Sequence, residues 1–152
     1  MLSGEPIPVY GDGANVRDWV YVEDHCRALL SVLKAGAPGE TYNIGGNCER
    51  TNLQVVEELC NILDRVSPRQ DGVKYEKQIS FVADRPGHDL RYAIDASKIK
   101  REINWIPRES FSTGLAKTVD WYLSHKDWIE RIRTGKYRGE RLGLAEEKEA
   151  LR

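Results

Sequence analysis

Residues 11–33 read GDGANVRDWVYVEDHCRALLSVL, and the organisation of the chain follows from them. A glycine-flanked loop, Gly11-Asp12-Gly13, leads to Arg17. The β-prone run Trp19-Val20-Tyr21-Val22 predicts a short strand, followed by a helix whose first turn carries Glu23 and Asp24 at the positive end of its dipole. Cys26, Leu29, Leu30 and Leu33 recur at i, i+3, i+4 and i+7, the stripe of a half-buried helix. Arg17 is then a cation on a loop anchored by a packed strand-to-helix unit, which suits a phosphate. On residue chemistry alone it reads as well as a surface partner of Asp18 or Asp24.

The 152 residues suffice for one compact domain, and 40% hydrophobic content is ordinary for a water-soluble protein. A net charge of −1 gives no global reason to expect nucleic acid or an anionic membrane as partner. No apolar run approaches the ~20 residues of a membrane span, and no signal peptide follows Met1. Cys26, Cys48 and Cys60 lack C-x-x-C spacing and read as reduced thiols of a cytoplasmic protein. His25, His88 and His125 stand apart from them, so no metal set is expected.

Prolines alternate with apolar residues through Glu5-Pro6-Ile7-Pro8-Val9-Tyr10, which predicts an edge or extended segment. The first helix should stop near Lys34, with Gly36 and Pro38 beyond it. Residues 40–44 read as a strand broken by Gly45-Gly46. Thr51-Asn52-Leu53-Gln54 has the capping-box pattern and opens an amphipathic helix. Asn52 lies at its amino end, where free N–H groups favour an anion, although a local cap is the simpler role. Residues 67–77 should form a surface loop. The strand at 78–83 then delivers Asp84-Arg85-Pro86-Gly87-His88-Asp89, where Arg85 offers a planar fork for phosphate oxygens. A short helix over 96–102 capped by Asp95 follows, then a last clear helix from Ser112.

Five stretches resemble one family. The run from Arg17 to His25 is similar to the R-D-W-x-Y-V-x-D-H segment of dTDP-glucose 4,6-dehydratases, in the extended short-chain dehydrogenase/reductase superfamily. VADRPGHDLRYAID (82–95) resembles their V-x-D-R-P-G-H-D-x-R-Y-A-I-D segment, and Tyr42-Asn43-Ile44-Gly45-Gly46 their Y-N-I-G-G strand. Asn104-Trp105-Ile106-Pro107 and the segment from Gly114 to Tyr122 resemble the family's G-W-x-P turn and its closing helix. Asn47-Cys48-Glu49 departs from the H-N-E of many members.

The resemblance implies conversion of dTDP-glucose to its 4-keto-6-deoxy product with loss of water, and NAD as cofactor. It also implies that the chain is the carboxyl-terminal, nucleotide-sugar-binding portion of an α/β fold. That portion has small mixed sheets and about four helices, and the Rossmann half is missing as in a fragment or truncated product. No Tyr-x-x-x-Lys pair occurs, and Gly11-Asp12-Gly13 lacks the strand–glycine loop–helix context of a dinucleotide site. Carried over by position, Pro8, Val9 and Tyr10 should lie along the thymine end. Arg17, Asn52, Asp84, Arg85, Pro86, Gly87 and His88 should serve the diphosphate and sugars, with no catalytic or metal residue in the chain. Residues 1–140 would form this portion and 141–152 a charged tail. The missing Rossmann portion and a dTDP-sugar are the implied partners, and homo-oligomerisation stays open. Rival readings are a non-catalytic nucleotide-sugar module, a related epimerase or decarboxylase, and a nucleic-acid binder built on Arg131, Arg133, Lys136, Arg138 and Arg141. Glutamates interrupt that last stripe.

Overall fold

A computed structural model of the chain describes residues 1–134; the tail expected over 141–152 and the basic stripe beyond Thr134 lie outside the described residues. By packing, the chain divides into residues 1–119 and residues from 120 on.

The first unit is α/β. Strand β1 (Ile7–Tyr10) pairs in parallel with β4 (Ile79–Val82), in register Ile7 to Ile79 and Tyr10 to Val82. Strand β2 (Val16–Asp18) pairs antiparallel with β3 (Glu49–Thr51), and Val16 also bridges to Arg91. Pro8 has no N–H to donate, and a two-stranded sheet tolerates it. The predicted capping box is present: Thr51 Oγ1 accepts the Gln54 amide at 3.1 Å and Gln54 Oε1 accepts the Thr51 amide at 2.9 Å. Helix α2 (Asn52–Val66) buries Val55, Cys60, Ile62 and Leu63. A 3-10 turn, Tyr75–Gln78, docks beside it, its Tyr75 hydroxyl donating to the Ser67 carbonyl at 2.9 Å.

Helix α1 (Val22–Ala35) and helix α3 (Ser97–Ile103) meet in a second core, where Ala28, Ala96, Ile99 and Trp105 are buried and Val20, Val32, Tyr42 and Ile44 pack against them. The helix starts one residue later than expected, with Ala96 at the cap position, and Asp95 just before it accepts the Ser97 amide at 2.8 Å. Helix α4 (Phe111–Ser124) sets Gly114 against Tyr21. Helix α5 (Lys126–Thr134) is a fifth helix that the charge-rich sequence did not announce. Around it Trp121 stacks on His125 at 4.4 Å and meets Trp128 edge-on at 5.2 Å. Among the described residues no helix is long and apolar enough to cross a membrane.

Three expectations are corrected. Residues 19–22 form no strand; the strand lies earlier, at Val16–Asp18, because Glu49–Thr51 pairs there, and Tyr21 already caps α1. Residues 40–44 form no strand either, since no ladder partner for them exists among the described residues, although Tyr42 and Ile44 do pack inward. The stripe Cys26, Leu29, Leu30, Leu33 is not buried: the leucines are 53%, 56% and 83% exposed. The covered face of α1 is instead Asp24, Ala28 and Val32. Periodicity finds an apolar face but not what covers it.

Asp24 is wholly buried. Its carboxylate receives the amides of Arg108 and Glu109, each at 2.9 Å, together with the Arg27 guanidinium. This ties α1 to the segment that enters α4. Asp24→Ala removes the acceptor of two part-buried amides and of the Arg27 guanidinium, and should lower stability by about 1–3 kcal/mol. Denaturant melts with an unchanged m-value check this. The exposed leucine stripe should bind a hydrophobic dye or drive self-association. Leu33→Glu should reduce that signal while leaving the melting midpoint in place, as read by dye fluorescence and light scattering.

Candidate functional site

Residues 11–16 form the hub of the site. Gly11 N donates to Val82 O at 2.9 Å, which brings the ends of β1 and β4 side by side. Leu53 N and Asn52 N donate to Gly13 O and Asn15 O at 3.1 and 3.0 Å. Val16 N donates to Leu90 O at 2.7 Å and Val16 O accepts from Tyr92 N at 3.0 Å, so the turn after β4 folds back along β2. Gly13 must be glycine. Its φ is +75°, and a Cβ there would sit 2.8 Å from Val9 Cγ1 and 2.9 Å from Leu53 Cβ.

The ten expected residues lie on the segments that this hub joins, in differing states. Val9 is 3% exposed with its side chain packed inward, so it can offer a ligand only its backbone, whereas Pro8 is exposed and Tyr10 half-buried. Tyr10 meets the His88 ring edge-on at 6.1 Å. His88 Nδ1 lies 2.7 Å from Asp84 Oδ1, and its side chain is only 6% exposed. That hydrogen bond, with help from the Arg85 amide at 2.8 Å, holds the Asp84 carboxyl below the usual carboxylate range. Pro86 and Gly87, the latter at φ +68°, complete an exposed turn. The Arg85 guanidinium makes no hydrogen bond or ion pair with the described residues.

Arg17 sits within β2, not on a loop, and pairs with neither Asp18 nor Asp24. Its Nη1 donates to Val16 O at 2.6 Å and its Nη2 to Asp89 O at 2.9 Å, with the guanidinium 4.7 Å from the Tyr92 ring centroid. The buried Asn15 donates to the same Asp89 carbonyl at 3.3 Å. The Asp89 carboxylate accepts from the Tyr92 hydroxyl, which pushes the phenol pKa up. The two aspartates near Arg17 have structural partners instead. Asp18 accepts Gly46 N at 2.7 Å and Cys48 N at 2.6 Å, fixing the turn in which Asn47 takes φ +50°.

One reading of Asn52 changes. The first amides of α2 are not free, since Gly13 O, Asn15 O and the Thr51 hydroxyl already accept them. Only the Asn52 side chain remains to meet a ligand. Asn15, Asp89 and Tyr92 were not singled out from the sequence. The last two lie inside the 82–95 segment, while nothing local marks Asn15.

The described residues do not suit a dinucleotide. The one glycine-spaced loop, 11–13, joins two strands, and its Gly13 is packed against Val9 and Leu53, so it neither opens a helix nor leaves room for a pyrophosphate. Among the described residues no group of His, Cys, Asp and Glu could hold a metal ion, and the three cysteines are free thiols.

The family model described as GDP-mannose 4,6 dehydratase matches residues 1–118. The dTDP-glucose 4,6-dehydratase of Escherichia coli is 56% identical over 147 residues, which cover 95% of this chain and 41% of that relative. The dTDP-glucose 4,6-dehydratase of Bacillus anthracis, solved in complex with NAD, gives a TM-score of 0.76 at 46% identity, covering 86% of this chain and 39% of that one. The corresponding enzyme of Streptomyces venezuelae, solved with NAD bound, gives 0.74 at 45% identity over 84% of this chain and 37% of that one. The chain thus spans about two fifths of the length of the curated relatives it matches. With that family model covering residues 1–118 of the 152, the chain belongs to the GDP-mannose 4,6 dehydratase family, and its relatives there are dTDP-glucose 4,6-dehydratases.

Proposed function

We propose that this chain is the carboxyl-terminal, nucleotide-sugar-binding part of an NAD-dependent dTDP-glucose 4,6-dehydratase. In that role it grips the diphosphate of dTDP-glucose while the remainder of the enzyme supplies the cofactor site and the acid–base groups. The observation that carries the reading is that the backbone of residues 11–16 joins the segments bearing Arg17, Asn52 and the turn 84–88 in a member of this family. Pro8 and Tyr10 line the approach from the thymine side, and Val9 contributes its backbone. Asp84 holds His88 in place, Pro86 and Gly87 set the path of the turn, and Arg85 and Arg17 meet the phosphates. The missing Rossmann portion is the natural cover for the exposed leucines of α1. The setting is cytoplasmic, and a homo-oligomer, if one forms, is assembled chiefly outside this chain.

NAD holds and returns a hydride in this chemistry, and no residue described here is assigned to it. The chain by itself should therefore not turn over. Purified protein mixed with NAD and dTDP-glucose should yield no 4-keto-6-deoxy sugar, and product above background would overturn the division of labour.

Binding is the direct test. A charge-assisted hydrogen bond contributes about 1.5–3 kcal/mol, or roughly ten- to a hundredfold in affinity. Arg17 is held in place by two carbonyls and the Tyr92 ring, so it loses little freedom on meeting a phosphate, whereas Arg85 must be ordered first. Arg17→Ala should weaken dTDP binding by about that full factor and Arg85→Ala by less. Arg101→Ala, which only breaks an exposed pair with Glu102 on α3, should leave it unchanged. Titration of the chain with dTDP reads all three, and parent-like binding by both Arg17→Ala and Arg85→Ala would remove the site.

A further inference from the structure

Arg17 and Arg50 are directly opposite each other on the antiparallel pair β2–β3. Opposed residues of such a pair project from the same face with Cβ atoms roughly 5 Å apart, and like charges so placed repel. Structural arginines relieve such repulsion with a carboxylate, as Arg91 does through two 2.8 Å bonds to Glu49. Neither Arg17 nor Arg50 does so among the described residues. Arg50 donates to the Glu49 carbonyl at 2.8 Å and lies 5.6 Å from the Phe111 ring centroid. Arg17 likewise uses carbonyls and a ring, that of Tyr92. Two opposed arginines on one strand pair are thus each set against an aromatic ring, Tyr92 for Arg17 and Phe111 for Arg50, and neither is paired with a carboxylate among the described residues.

We propose that Arg50 is a second ligand-contacting cation, which with Arg17 clasps the two phosphoryl groups of a nucleoside diphosphate. The inference rests on the reading of Arg17 given above and adds to it a residue that neither motif nor periodicity nominated. Carbonyls and rings fix the direction of a guanidinium without neutralising it. The repulsion between the two is removed when a dianionic ligand enters. The first amides of α2, next in sequence to Arg50, already have internal acceptors, so an anion at this edge is met by side chains.

The experiment is titration of the full chain with dTDP and, separately, with inorganic pyrophosphate. It is followed through the arginine Nε–Hε resonances in nitrogen–proton correlation spectra. Both Arg17 and Arg50 resonances should shift. Arg50→Gln should raise the Kd for each probe about three- to tenfold, a smaller effect than at Arg17 because Arg50 is more exposed. Arg50→Lys should recover part of the loss. If Arg17→Ala weakens binding while Arg50→Gln does not, the clasp is wrong and the reading of the site stands. If neither weakens binding, both fall. An equal loss in Arg101→Gln would reduce the effect to long-range charge and overturn the assignment of Arg50.

Discussion

The backbone of residues 11–16 is shared among three segments that are remote in sequence. Gly11 N reaches the end of β4, Gly13 O and Asn15 O receive the first amides of α2, and both polar groups of Val16 join the return of the 84–92 turn. A loop could leave these groups to water; here each is satisfied by another part of the chain. Arg17, Asn52 and the turn 84–88 share a neighbourhood because this backbone joins their segments. The side chains most readily assigned to function are thus placed by main-chain bonds that carry no residue signature except Gly13, where no Cβ fits.

Carboxylates do much of the remaining fastening. Asp18 fixes the glycine turn that leads into β3, Asp24 ties α1 to the start of α4, and Asp84 holds His88. Within the nonamer from Arg17 to His25, the two aspartates are structural and the arginine keeps donors to spare. Buried Asp24 is stable in that position because it receives two amides and a guanidinium; without them its desolvation would outweigh any gain.

Much of this was readable beforehand wherever the cause is local. Thr51 and Gln54 announce the start of α2 because a capping box spans only three residues, and Asp95 announces α3 for the same reason. The 82–95 segment could be placed after a strand because the strand and its turn are contiguous. What failed depends on partners far along the chain. Whether Leu29, Leu30 and Leu33 are covered, whether residues 40–44 find a ladder and which group accepts from Asn15 are not encoded within a helix turn of those residues. Asp24 finds its amides 84 and 85 positions away. The free amides expected at Asn52 were a local inference too, and the hub had already claimed them.

The separation of the two halves of the site governs when it can exist. Asn15 and Arg17 find the Asp89 carbonyl 74 and 72 residues downstream, and β1 finds β4 at the same range. Parallel pairing over such a span closes a long loop, whose entropy must be overcome before any contact rewards it. During synthesis Asn15 and Arg17 are therefore made early and fixed late, only after the segment through Tyr92 has emerged. A diphosphate that binds only the closed arrangement draws the folding equilibrium toward it by mass action. Such a ligand would act as a folding cofactor for the site it occupies.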